Sequence, residues 1–483
     1  MKKIISSGIV ISLAMLVMSG CNKFANEQVE RAQETTEIQT IEFWHHYGEP
    51  VSDKLEELTN RFNDGIGKEQ GISVKLVGKS NIKQLMNEVN EAAQGIVYAN
   101  KMPNLFFVYP DGLLDLHNIE VVADMNQSVS EQTKESIVPE FMKSGTIDGK
   151  WLHMPFANST ELLYINETAW DEFAMETGHT FEDLETWEGV LEVGRDYYEY
   201  TDELTPEIPF DGHAFFGFDS LDNFITVTSM QLGVDIFDKD EKTAYLNEAV
   251  LREIFELYNI GTSMGYFYEG GKFRSDDVRS GKIISYVGSS VSFQYFPDWI
   301  ETANGKQDIK WCALPYPTFE QGDAKVYSQG AGLAMGKSTK EKEDATAVFI
   351  SYLMENNIEF SLATGYIPVI DRFLEMNDTN TLQDNYQLDE KKLQVYDLVL
   401  NQIKQGELYL PAAFKGSYQI RNILGEQFHE TGKDSLSVAQ SKKEQVTTLA
   451  DVEESLNLEE QYKIMFNKIE SILENSGISY FRE

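Results

Sequence analysis

The segment IEFWHHYGE, Ile41 to Glu49, sets two adjacent histidines beside a tryptophan and a glutamate. Such a set could hold a metal, supply a general base, or do no chemistry at all. On an extended segment, neighbouring side chains point to opposite faces, so His45 and His46 cannot chelate one ion together. The seven histidines form no HExxH pattern and the chain has no CxxC, which leaves no metal motif. No GxSxG elbow occurs. Cys312, in WCALPYP, reads as an apolar-strand residue rather than a nucleophile. VGKS and MGKS, ending at Ser80 and Ser338, imitate the end of a phosphate-binding P-loop, but Ser73 and Ala331 stand where its first glycine is required. A glycoside hydrolase needs two carboxylates about 5 to 9 Å apart. With 79 acidic residues no pair can be singled out, and a hydrolase stays as the lesser alternative. No residue set calls for a cofactor.

A different character recurs in PFANST, YVGSSVS, SQGAGL, ATGYIPV and GSYQIRN. These short turns bare backbone N–H groups and hydroxyls, which hold a polar ligand without transforming it.

The elements that carry these turns follow from periodicity. TIEFWHHY reads as a strand, and VSDKLEELTNRFNDGIG as a helix with Leu55, Leu58 and Phe62 on one face. GISVKLVGK, NIKQLMNEVNEAAQG and MPNLFFVYPDG continue as strand, helix and doubly buried strand, the βαβ signature of an α/β fold. Later, KEDATAVFISYLMENNIEFSLATG predicts one long helix closed by Gly365, and the chain from Glu390 onwards is mostly helical.

At 483 residues the chain exceeds a single core, so two domains are expected. A formal charge of −39 argues against nucleic acid or an anionic membrane surface as partner. Residues 1–20 have the charged, apolar and small-residue layout of a secretory signal. VMSGC resembles the bacterial lipobox, with Met18 in place of the more usual leucine, which makes Cys21 the lipid-bearing residue. Residues 21–36 then form a polar tether, and the protein sits on the outer face of the cell membrane, held there by its lipid alone. Only Cys312 remains after Cys21, so no intrachain disulfide is available.

FWHHYGE, LTNRFN, MPNLFFVY, MPFANSTELLYIN, SGKIISYVGSS, ALPYP and ATGYIPV occur in the order found in the extracellular solute-binding lipoproteins of bacterial ABC importers. The chain resembles that family over nearly its whole length after the tether, and within it is most similar to the glycerol-3-phosphate-binding proteins. The resemblance implies a two-lobed, type II periplasmic-binding-protein clamshell with interleaved lobes and a helical C-terminal portion. Lobe one is placed at 37–153 and 319–368, lobe two at 154–318 and 369–483. It also implies a monomer that closes on a small molecule and then docks on a membrane permease. Carried over by position, Ser159, Ser289, Gly330, Tyr366 and Arg421 would surround a phosphate. Trp44, His45 or His46, Asp111 and Phe218 would add cleft walls. Ile82 stands where the family has a tyrosine, and Pro110, beside Asp111, where it has a glutamate for the glycerol hydroxyls. A glycerophosphodiester or sugar phosphate is therefore nearly as well matched, and a neutral oligosaccharide is the main alternative. Replacing Cys21 with Ala is expected to abolish acylation; incorporation of labelled palmitate into Cys21→Ala would overturn the anchoring.

Overall fold

The computed structural model describes residues 38–483, apart from positions 111, 143–144, 239–242, 377–378, 387, 413, 415 and 447. Cys21, the signal and the tether lie outside the described residues. Along the chain, the two large sheets use strands β1 (Gln39–His45), β2 (Ile72–Gly78), β3 (Leu105–Val108), β4 (Met154–Ser159), β5 (Glu161–Asn166), β6 (Phe216–Phe218), β7 (Ser285–Ser289), β8 (Trp311–Leu314) and β9 (Gln329–Met335). The first sheet has the order β2-β1-β3-β9-β4 and the second β8-β5-β7-β6.

Local sequence explains the first sheet. Leu105 to Val108 are fully buried, as a strand covered on both faces requires. β1 pairs in parallel with β2 and β3, and the intervening helices Val51–Phe62 and Ile82–Ala93 supply the crossovers. Leu55, Leu58 and Phe62 are buried as their spacing predicts. β9 enters from far along the chain and runs antiparallel to both β3 and β4. In the second sheet β5 runs antiparallel to β7 and β8.

β4 and β5 are contiguous but belong to different sheets, so the chain crosses at Thr160. There Ser290 N–H donates to the Thr160 carbonyl at 2.6 Å, and Thr160 N–H donates to Ser290 Oγ at 3.3 Å. The expected lobe boundary at 153/154 thus moves, because Met154–Ser159 is the edge strand of the first sheet. The return crossing also moves, from 319 to Gln329. Phe319, Val326 and Tyr327 still pack in the second lobe's core, and β9 begins only at Gln329.

The long helix expected over KEDATAVFISYLMENNIEFSLATG is two helices, Lys340–Glu355 and Asn357–Thr364. The break has a physical cause. Fully buried Asn357 donates from Nδ2 to the Phe156 carbonyl at 2.9 Å and accepts from Val369 N–H at 2.8 Å. Tying β4 to the segment after Gly365 fixes the direction of the second helix. Gly365 caps it at φ 79°, a left-handed position that glycine occupies without strain. The portion after Glu390 holds the helices Glu390–Gln405, Ser417–Lys443 and Leu458–Asn475. No helix among the described residues is long and apolar enough to cross a membrane.

Asn357→Ala strands two buried backbone groups and is expected to cost about 2–4 kcal/mol of unfolding free energy. Neighbouring Asn356→Ala, which loses a part-buried hydrogen bond to the Tyr352 carbonyl and an exposed one from Arg61, should cost under about 1.5 kcal/mol. Equal destabilisation of the two variants in urea denaturation would contradict the tethering role.

Candidate functional site

The ends of β1, β3, β4, β7 and β9 gather around two adjoining cavities. The larger, about 1060 Å³, lies between the helix Ile82–Ala93 with Tyr109 and Pro110 on one side and the chain around Leu410–Asn422 and Ser476–Ser479 on the other. The smaller, about 160 Å³, is walled by His46, Tyr47, Tyr109, Ser159, Ser289 and Tyr366, among others. Tyr109, Gln329 and Gly330 wall both, so the two are parts of one cleft.

Of the residues named from sequence, Ser159, Ser289, Gly330 and Tyr366 meet in the smaller cavity, while Gly330 and Arg421 wall the larger. Gly330 is needed for packing as well: a Cβ there would lie 2.5 Å from the Ala157 carbonyl oxygen on β4. Asp111 lies outside the described residues.

Three candidates stand elsewhere. Trp44 is buried in the first lobe's core, its Nε1 donating to Glu42 Oε1 at 2.7 Å and its ring covered by Lys79 Nζ at 3.9 Å. His45 is buried beside Gly78 of β2 and walls neither cavity. Phe218 packs against Phe224 (4.4 Å between centroids), Phe267 (5.7 Å) and Trp187 (5.8 Å), a core contact set with no share in the cleft. The walls there are His46, the expected alternative to His45, with Tyr47 beside it after the end of β1, and Tyr109 after β3. The one available signal was their place in loops at the carboxyl ends of parallel strands.

The smaller cavity carries no fixed charge. Burial, with His45 adjacent, pushes His46 down to about 4, so it is neutral at pH 7. Burial also lowers His45. Burial raises the Tyr47 and Tyr366 phenols, and each raises the other or bonds to it, so both keep their protons. The His46 and Tyr47 rings pack tilted at 34°, their centroids 4.3 Å apart. Hydroxyls, one neutral imidazole and backbone groups are what this pocket offers.

The larger cavity has fixed positive charge. Arg421 is the fifth residue of the helix Ser417–Lys443, with Nε 2.8 Å from Asp222 Oδ2 and a terminal nitrogen donating to the Tyr327 hydroxyl. Lys83 stands across the cleft. The N-cap of that 27-residue helix is Gly416, which offers no capping side chain, so its N-terminal dipole opens on the same space. Among the described residues no group of three His, Cys, Asp or Glu could hold a metal ion. Burial pushes the Cys312 thiol up to about 12, which leaves it inert.

Comparison with known proteins fits this architecture. No curated protein matches the chain. Among solved structures, the cyclic alpha-maltosyl-1,6-maltose binding protein from Arthrobacter globiformis superposes with a TM-score of 0.63 at 16% identity, covering 89% of this chain and 98% of that one. UgpB from Mycobacterium tuberculosis, in complex with glycerophosphocholine, gives 0.62 at 18% identity with the same coverage. An ABC substrate-binding protein from Listeria monocytogenes, in complex with cycloalternan, gives 0.62 at 15%, again covering 89% and 98%. At such identities the likeness is one of fold: two α/β lobes around a cleft. Residues 57–389, more than half of the chain, match the family described as bacterial extracellular solute-binding protein, and the chain belongs to that family.

Proposed function

We propose that this protein is the extracellular receptor of an ABC importer, that it captures glycerol-3-phosphate, a glycerophosphodiester or a sugar phosphate, and that closure of its lobes presents the ligand to a membrane permease. It works as a monomer, tethered through Cys21, and transforms nothing.

One observation carries the ligand class. The chain has 79 acidic residues, yet among the described residues no Asp or Glu walls either cavity, while Lys83 and Arg421 do. A protein of net charge −39 repels an anion at long range, so local positive potential must draw it in. Arg421 is suited to this because Asp222 and Tyr327 orient its guanidinium and the helix N-terminus adds partial positive charge beside it. The hydroxyls of Ser159, Ser289 and Tyr366 would then take the uncharged part of the ligand or the phosphate's remaining oxygens.

A neutral oligosaccharide is the second reading. It is favoured by the uncharged smaller cavity and by exposed Tyr418 along the larger one, an aromatic face on which a sugar ring stacks.

Arg421→Ala is expected to weaken a phosphorylated ligand by about 2–4 kcal/mol, since the buried anion loses its partner. Isothermal titration measures this, with the melting temperature as control for the loss of the Asp222 pair. A change under about threefold, or under 0.7 kcal/mol, would move the assignment to the neutral sugar. Closure should also reduce the radius of gyration in small-angle scattering at saturating ligand, and an unchanged profile with ligand bound would contradict the clamshell motion.

A further inference from the structure

Among the described residues, the larger cavity is walled by the carboxamides of Asn87 and Asn90 on one side, of Gln419 and Asn422 on the other, and of Asn158 and Gln329 on the paired strands β4 and β9. Lys83, Asn87 and Asn90 follow at i, i+4 and i+7, so they share one face of the helix Ile82–Ala93, while Leu85 and Val89 are buried. Gln419 and Asn422, at i and i+3, share a face of the helix Ser417–Lys443. No hydrogen bond to another described residue engages the side chain of Asn87, Asn90, Gln419 or Asn422. Asn158 is 4% exposed, and its Oδ1 has no hydrogen-bond partner among the described residues. Its register partner is Gly330, where a Cβ would lie 2.7 Å from that oxygen, so a side chain at 330 would displace the amide.

A carboxamide has nearly the shape of a carboxylate without its charge, and it donates as well as accepts. Carboxylates at these positions would take hydroxyl groups too, but they would repel a phosphate held by Arg421 and Lys83. Amides take the hydroxyls and leave the anion unopposed. Size points the same way: at about 1060 Å³ the cavity holds far more than a three-carbon phosphate fills, and it stands at the top of the roughly 300–1,000 Å³ of pockets for drug-sized ligands. We propose that this cavity is a hydroxyl clamp and that the ligand is a phosphate ester of a cyclic polyol, a sugar or cyclitol. Its ring lies between the two helices and hydrogen-bonds to Asn87 and Asn90 on one, to Gln419 and Asn422 on the other, and to Asn158 on β4. The proposal rests on the anionic-ligand reading and narrows it. Glycerol-3-phosphate offers too few hydroxyls to engage both walls, and the quaternary ammonium head of glycerophosphocholine neither donates to an amide nor accepts from one.

The test is titration calorimetry at about pH 8, where phosphate monoesters are doubly ionised, with two matched pairs of compounds. Glucose-6-phosphate is compared with glycerol-3-phosphate, and glycerophosphoinositol with glycerophosphocholine. At least one ring compound should bind about tenfold or more tightly than its counterpart, as several added hydrogen bonds allow. Asn87→Ala combined with Asn90→Ala should remove most of that preference, weakening the ring compound more than its counterpart, with the melting temperature as control for folding. Ring compounds that bind no more tightly than their counterparts, or a double variant that weakens both members of a pair equally, overturn the clamp while leaving the anionic reading intact. The wild-type comparison decides the matter even if the variant does not fold. Binding of maltose with no binding of any of the four phosphorylated compounds overturns the anionic reading itself.

Discussion

The cleft depends on a constraint at Thr160. The chain passes from one sheet to the other without a loop, so the backbone groups at the crossing cannot be hydrated by leaving the core and must be bonded within it. They find partners in Ser290, at the end of β7, which bonds Thr160 in both directions. This reciprocal pair ties a strand end of the second sheet to the edge of the first. It thereby brings Ser159 and Ser289 to the same small cavity. Asn357 extends the tie by fixing β4 to the segment carrying Tyr366 and Val369. The polar groups of the site are thus gathered by hydrogen bonds to the backbone.

Charge distribution gives the site its character. Acidic residues cover this protein, yet the described cleft walls carry cations and hydroxyls instead. The carboxylate paired with Arg421, Asp222, walls neither cavity. An arginine oriented by Asp222 and Tyr327 needs little reorganisation when a ligand arrives. In the smaller cavity burial keeps His46, Tyr47 and Tyr366 uncharged.

Much of this was legible in the sequence. LFFV, the alternation in ISVKL and the i, i+3, i+7 spacing of Leu55, Leu58 and Phe62 each fix a local period, and those elements lie where the periods place them. The short Ser, Gly and Tyr turns pointed to residues that do converge. The lobe crossing was not legible, because MPFANS and ELLYIN are both wholly buried and no turn residue separates them. The break at Asn356 was hidden for a similar reason: the apolar period continues through it, and only the tertiary bonds of Asn357 redirect the chain. Trp44 and Phe218 failed as wall residues because a buried aromatic has the same sequence signature whether it meets a ligand or a core. Tyr47 and Tyr109 were missed because alternation along a strand says nothing about direction once the strand has ended.

The central claim is that the cleft selects a phosphorylated polar molecule. The most direct measurement is the melting temperature of the protein with glycerol-3-phosphate, glycerophosphocholine, glycerol or maltose, each supplied at the same concentration. A ligand at about 100 times its Kd stabilises the folded state by about 2.7 kcal/mol, a shift of several degrees. The account predicts that shift with one or both phosphorylated compounds and none with glycerol. A shift with maltose alone would contradict it.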